Sequence, residues 1–517
     1  MRIAERAQIA YAAKALVGAL GTMTLVAWLP YGVPPRALPL QATISRNVLN
    51  VRYFGARGDG HTDDTAAIAA ALEAARKSGG GTVYVPAGVY LIDPPAQPLY
   101  LSSNVTLLGV GNASVLRVKD DAGQYNFIFV QHPGTLSNVA LRRLRFDQNP
   151  AGNRTSNINA LTDAENVVQV YDFDNLVIDK VSFDPEPGVQ AVVAAGPRAP
   201  RRLSITNSLF RFVRGKSDDR YYDNSSVYSE AAGVLILGNR FMTTKRQNAI
   251  TAIEVHGGPG IDIAHNTVVH FQNGMNLTNS TRGYRHVARA QIHVHGNFLQ
   301  GTAFGFDLWS IGGEVLRDVT IDDNTVIFAQ HRLYRDTWLG ILCQQGGRGQ
   351  GLGGDFRDIV VRRNVFDFSP LRRQRVRTLL AMGMQWSPNG NVANVTLEDN
   401  TILESPGAGI VIGASSRDNA TDAVTVSRDR IEGAGWDPAA PKWMRAAILL
   451  RHAAMREVHA DRNVIIAPRE RSGAASIVAH PLRGSVRVTT RYDRIVPEGV
   501  LRYSVDRHLV DDTGTDP

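Results

Sequence analysis

The chain reads as an all-β protein, a solenoid of parallel β-strands with an N-terminal capping α-helix, on three observations. An eight-residue pattern (apolar, any, apolar, any, any, Asn, any, apolar) recurs along most of its length. A short helix-forming stretch that ends in glycines precedes the first copies and leads into two strand-like runs. Forty-eight glycines in 517 residues, with 20% charged residues, suit a turn-rich chain whose core grows rung by rung.

The helix-forming stretch runs from Val51 to Ile92. Asp59 and Gly60 form a turn, and Asp63 can cap a helix by accepting from its free backbone N–H groups. Ile68 and Leu72 then recur at i, i+4 on an alanine-rich face, and the helix should stop at Gly79, Gly80 and Gly81. Thr82 to Val85 read as a strand, Pro86 to Gly88 as a turn, and Val89 to Ile92 as a second strand. A helix over Asp63–Ser78 would cover the open end of the β-structure that follows, shielding its core and edge.

The residues Gly55, Ala56, Gly58, Asp59, Gly60, Thr62, Asp63, Asp64, Thr65, Ala67 and Ile68, followed by the run from Gly80 to Tyr90, are similar to the N-terminal signature of the pectate-lyase-like superfamily. That group holds rhamnogalacturonases, polygalacturonase-like hydrolases, epimerases and phage tailspike depolymerases. The resemblance covers about the first tenth of the chain, and implies a single-stranded right-handed parallel β-helix acting on polysaccharide. It does not fix the reaction.

Upstream, Arg2, Arg6 and Lys14 precede an apolar run from Ala15 to Leu29 and a Pro-rich stretch from Pro30 to Pro39. Residues 1–40 are expected to be a signal peptide or an N-terminal membrane anchor, residues 41–505 the β-helix domain, and residues 506–517 a polar tail. A secreted, extracellular or periplasmic location follows from that reading. One cysteine, Cys343, excludes an internal disulfide. The net charge of +8 suits an acidic glycan, and no nucleic-acid-binding motif accompanies it. Nothing in the sequence fixes an oligomeric state.

The repeat appears as LSITNSLF ending at Phe210, then at Val234, Ile261, Ile292, Val319, Ile359 and Val395, with degenerate copies at Val139, Leu176, Val424 and Val458. Its asparagines fall at 207, 239, 266, 297, 324, 364, 400 and 463, with Asp429 in the same slot. This is a rung period. The asparagine tolerates the bend that ends each strand, and stacked asparagines can hydrogen-bond along the axis, so the column reads as structural.

A second strand in each rung places alternate residues outward. One outward column reads Glu254, Asn276, Asp307; the next reads His256, Thr278, Trp309, Gln344, Gln385, with Arg451 further along. Rungs lie about 4.8 Å apart, which separates the backbones of Glu254 and Asp307 by roughly 9.6 Å. That spacing fits the acid and base of an inverting glycosidase, with Asn276 orienting the water. Trp309 offers a stacking face for a sugar ring, and Gln344, Gln385 and Arg451 suit hydroxyls and a carboxylate.

On the first strands, Asp262 aligns with His293 and His295 with Asp322. His-x-His is a usable metal geometry, but a polar surface explains it equally, and no metal is assigned. No cofactor is expected from the motifs, while the resemblance leaves calcium open. The Asn-Thr-Asp, Gly-His-Gly and Arg-Ile-Lys motifs of polygalacturonase-like hydrolases do not occur. Nor does the Arg-x-Pro-x-x-Arg of pectate lyases, for which the stretch from Arg198 to Arg202 is one residue short.

Three readings stand. The first is an exported glycoside hydrolase using Glu254 and Asp307 on an acidic or mixed polysaccharide. The second is a lyase or C5-epimerase on a polyuronate, with His256 and Tyr228, one rung earlier, as proton-transfer groups and Arg451 or the Arg372–Arg377 loop at the uronate carboxylate. The third is a non-catalytic glycan-binding or adhesive solenoid.

Overall fold

The computed structural model describes residues 48–153, 164–196, 200–213, 224–246, 249–279, 290–310, 315–331, 335–345, 354–374, 376–386, 390–413, 420–441, 444–451, 454–467, 475–479, 488–491, 494–496, 503–504 and 510–512. The expected signal or anchor segment, the glycine run 346–353 and Arg375 lie outside these residues. Among the described residues no helix is long and apolar enough to cross a membrane.

The described strands form three parallel sheets of 16, 15 and 14 strands, each complete rung adding one strand to each sheet. The first sheet follows the repeat: Val139, Leu176, Leu203, Val234, Ile261, Ile292, Val319, Ile359, Val395, Val424 and Val458 stand side by side on successive strands. This is a parallel β-helix. Its last first-sheet strand, Val510–Asp512, falls in the segment read from sequence as a polar tail. One buried apolar cluster runs from Val51 to Ile465. Like residues stack within it, as in Phe183, Phe210 and Phe241, whose ring centroids lie 4.7 and 4.6 Å apart.

The N-terminal helix α1 spans Thr65–Lys77 and buries Ile68, Ala71, Leu72 and Ala75. It contacts the strands Val48–Asn50, Gly81–Tyr84 and Leu99–Leu101. Its cap position is Asp64, one residue later than expected, and Asp64 turns its carboxylate to the N–H groups of Arg57 and Gly58 at 2.7 and 3.0 Å. Asp63 does accept from the N–H of Thr65, at 3.0 Å.

The asparagine column forms a continuous ladder between the first and second sheets. Each side-chain oxygen accepts the preceding ladder residue's backbone N–H and, where that residue is an asparagine, its side-chain amide, as for Asn239 to Asn266 at 2.9 and 3.0 Å and Asn297 to Asn324 at 2.9 Å in both bonds. The bend is made by the residue before each asparagine, which takes the left-handed conformation: Gly238, His265, Gly296, Asp323, Arg363, Asp399, Arg428 and Arg462 all have positive φ. Asn207 therefore does not belong to the ladder. It is the left-handed residue, φ 51°, and Ser208 takes the ladder slot: its backbone N–H donates to Asn239 Oδ1 at 2.9 Å, and its hydroxyl donates to Thr206 O at 2.9 Å and accepts from Val181 N at 3.1 Å.

Candidate functional site

The third sheet carries the predicted outward columns on the strands Ser225–Ser229, Thr251–His256, Asn273–Thr278, Phe304–Ser310, Thr337–Gln345 and Leu380–Trp386. Apolar and polar residues alternate along them, so Ile253 and Val255 are fully buried while Glu254 and His256 point the other way. The register pairs Tyr228 with Glu254, Glu254 with Asn276, and Asn276 with Asp307. It also pairs His256 with Thr278, Thr278 with Trp309, and Trp309 with Gln344. The two columns read from sequence are thus side by side over these strands.

Two placements differ. Gln385 pairs with Leu342 and so stands in the Glu254–Asp307 column, two residues from the position beside Gln344 that the apolar alternation suggested. Its side-chain oxygen accepts from the Cys343 N–H at 2.9 Å. Arg451 pairs with Gly413, three strands beyond Gln344 and six beyond His256. At about 4.8 Å per strand it starts about 29 Å from His256, too far to share one sugar residue with it. The side chains of Gln344 and Arg451 lie outside what the structure describes.

Arg372, offered from sequence as an alternative carboxylate partner, is ion-paired with Glu404 and lies over the Trp436 ring.

The centre of the face is a hydrogen-bonded pair. His256 Nε2 lies 2.8 Å from Glu254 Oε1, and these side chains retain only 14% and 13% exposure. The Tyr228 ring packs on the imidazole with centroids 4.7 Å apart, and its hydroxyl donates to Glu230 at 2.8 Å. Glu230, buried beside this cluster, is a participant that sequence reasoning missed; its i+2 spacing from Tyr228 is the signal that marks it as facing the same way. Glu254 thus fixes one ring nitrogen of His256, the arrangement by which a carboxylate orients an imidazole for proton transfer.

Asn276 donates to Thr251 Oγ1 and accepts from Asn273, both at 3.3 Å. Asp307 is buried, with 3% exposure, although it faces the same way as Glu254. Cys343 is enclosed next to it: burial, with the Asp307 charge adding, pushes its thiol well above the ordinary value, so it stays protonated and inert.

A second cluster lies on the first sheet. Asp262 pairs with His293 and His295 with Asp322, as the sequence alignment had it. Among the described residues, Asp262, His293 and His295 are the group of His, Cys and acidic side chains able to converge on one ion. Two imidazoles and one carboxylate do not make the oxygen-rich shell that calcium takes, so no calcium chemistry is derived from them.

Relatives share short stretches with this chain. Mannuronan C5-epimerase AlgE6 of Azotobacter vinelandii is 41% identical over 109 residues, 20% of this chain and 12% of that protein. Alginate lyase 7 of the same organism is 47% identical over 76 residues, 14% of this chain and 9% of that protein. The chain therefore matches only a small part of these relatives' length. Among solved structures, the N-terminal fragment of bacteriophage phi29 gene product 12 shares the fold, with a TM-score of 0.51 at 15% identity over 90% of this chain and 72% of that one. The signature of one family extends from the first strand through the polar columns as far as Asp307, over residues 48–307, and by that match the chain belongs to the rhamnogalacturonase A/epimerase, pectate-lyase-like family.

Proposed function

We propose that the chain is a polysaccharide-active enzyme that moves the C5 proton of a polyuronate, as a C5-epimerase or a lyase, rather than a two-carboxylate hydrolase. The observation that carries this reading is the His256–Glu254 pair beneath the Tyr228 ring. A hydrolase of the inverting type needs Glu254 and Asp307 both open to one water and one glycosidic oxygen. Glu254 has an oxygen committed to His256, and Asp307 is only 3% exposed. An imidazole steadied by a carboxylate and flanked by a phenol instead supplies two proton-transfer groups of different kind within one site.

In this reading His256 takes the C5 proton, and the electron pair left behind is delocalised onto the uronate carboxylate. Two ends are then open. A proton delivered from water to the opposite face of C5 inverts the centre; expulsion of the C4 oxygen, which takes its proton from the Tyr228 hydroxyl, breaks the glycosidic bond and leaves a C4–C5 double bond. The relatives named above, which share short stretches with this chain, are a mannuronan C5-epimerase and an alginate lyase, which supports the same substrate class.

Incubating the full chain with mannuronan in heavy water tests this. Deuterium at C5 with inverted stereochemistry means epimerisation, and ultraviolet-absorbing unsaturated ends mean elimination. New reducing ends without either would overturn the proposal in favour of hydrolysis.

A further inference from the structure

We propose that Asp262, His293 and His295 bind a divalent transition-metal ion of the zinc class on the outer face of the first sheet, a site separate from the polar face of the third sheet. One ligand atom from each of the three lies within 4.8 Å of the other two. His293 and His295 sit at i and i+2 of Ile292–His295, so both rings leave the same face, and they stack with centroids 4.1 Å apart. Asp262, on the neighbouring strand Ile261–Ala264, reaches His295 Nε2 at 3.1 Å. That separation is close to the edge of a tetrahedron whose ligands each stand about 2.0 Å from a zinc ion.

The support around the cluster resembles that of a metal site. His293 Nε2 is held by Asp322 Oδ1 at 2.7 Å, which fixes the ring and leaves Nδ1 as the nitrogen to offer an ion. Asp322 is buried and is itself gripped by Arg362 at 3.2 Å and Arg363 at 3.0 Å. Those guanidinium groups would repel a cation if they were uncompensated. Arg362 and Arg363 share the Asp322 charge, and Arg363 also pairs with Asp323 at 2.7 Å, so Asp262 keeps its charge for the ion. The side chains of Asp262 and His293 are 49% and 45% exposed, which leaves an open side for water as the fourth ligand. Nitrogen-dominated ligation selects zinc, nickel, cobalt or copper over calcium or magnesium. An ion here would tie two adjacent rungs directly and a third through Asp322.

The test is calorimetric titration of the metal-free, tag-free full chain with zinc chloride, with cobalt(II) absorption as a second readout of coordination. The proposal expects one tight zinc per chain, four-coordinate cobalt bands, and loss of both in the His293→Ala/His295→Ala double variant. Asp322→Asn should keep the stoichiometry and weaken binding by about ten- to a hundredfold. Should the double variant fold poorly, Asp262→Asn, at a half-exposed position, serves instead and should weaken binding as well. Zinc binding that is absent from the wild type, or unchanged in these variants, would overturn the proposal and leave the cluster as an ion-pair network.

Discussion

Asp429 accepts the backbone N–H of Asn400 at 2.7 Å and its side-chain amide at 2.9 Å through one carboxylate oxygen, while its other oxygen is buried with no partner. The asparagines on either side have an amide in that second position. Asn400 Nδ2 donates to Val361 O at 2.9 Å, and Asn463 Nδ2 donates to Val426 O at 3.0 Å. By the repeat, the orphan oxygen of Asp429 faces the carbonyl of Leu397, which an ionised carboxylate repels and a protonated one can donate to. Burial accordingly lifts its pKa to about 7.

Asp429→Asn should therefore stabilise the protein in a pH-dependent way. Below the ordinary carboxyl value of 3.8 the side chain is protonated in both folded and unfolded chains, and its contribution to stability is fully present. As pH rises from there the unfolded chain ionises first, and the contribution is lost progressively until the folded group ionises near 7. Unfolding free energies of wild type and variant should converge near pH 4 and separate toward pH 7, by a few kcal/mol at most, about 1.4 kcal/mol per pKa unit. A constant offset across that range would refute the protonated-ladder account.

Glycines 274, 305, 340, 383 and 409 form a column in the third sheet in which a Cβ would strike the next strand's backbone. At Gly383 it would sit 2.6 Å from the Gly409 carbonyl oxygen and 2.8 Å from Ile402 Cδ1. Gly383→Ala should thus cost about 1–3 kcal/mol through overpacking against backbone that has little room to shift. The check is a lowered midpoint in denaturant with unchanged slope.

That column also shows what the sequence held. Gly-Phe-Asp-Leu, Gly-Ile-Leu-Cys, Gly-Met-Gln-Trp and Gly-Ile-Val-Ile each begin at the glycine, and aligning them on it puts Gln385 opposite Leu342, as observed. Apolar alternation alone has period two and cannot distinguish a register from one shifted by two residues, which is how Gln385 came to be set beside Gln344. The first-sheet register was legible because the asparagine is unique within each repeat. It failed only at Asn207, where the left-handed bend and the ladder slot, adjacent in sequence, can both be filled by asparagine. The Glu254–His256 bond was not legible, because strand spacing places side chains on a face without saying which of them turn toward one another.

The charged and apolar stretch at the N-terminus predicts export. A reporter enzyme active only outside the cytoplasm, fused after residue 45, should be active. An inactive fusion that is expressed at normal level would refute the export reading.

Trp309 is half-buried next to Thr278 in the His256 column. If its ring supports a sugar in both ground and transition states, Trp309→Ala should raise KM by about tenfold with little change in kcat. A fall in kcat at constant KM would instead place the ring in the chemical step.

The proton-transfer reading ranks four substitutions in a way that hydrolysis does not. His256→Ala removes the group that takes the C5 proton and should abolish turnover without changing substrate binding. Tyr228→Phe keeps the ring packed on His256 but removes the hydroxyl bound to Glu230, so under this reading it should reduce turnover by about 10²–10⁴-fold. Glu254→Gln can still hold the imidazole through a hydrogen bond but no longer stabilises its charged form. It should therefore lower turnover less than His256→Ala and alter the pH profile of kcat, a change that loss of packing alone would not produce. Asp307→Asn should matter least, because Asp307 is enclosed beside Cys343. Two-carboxylate hydrolysis predicts the opposite order, with Glu254→Gln and Asp307→Asn equally damaging and Tyr228→Phe nearly silent. The Asp307→Asn to Tyr228→Phe ratio of kcat therefore decides between the mechanisms, since each variant is close to isosteric and keeps the rung packing intact.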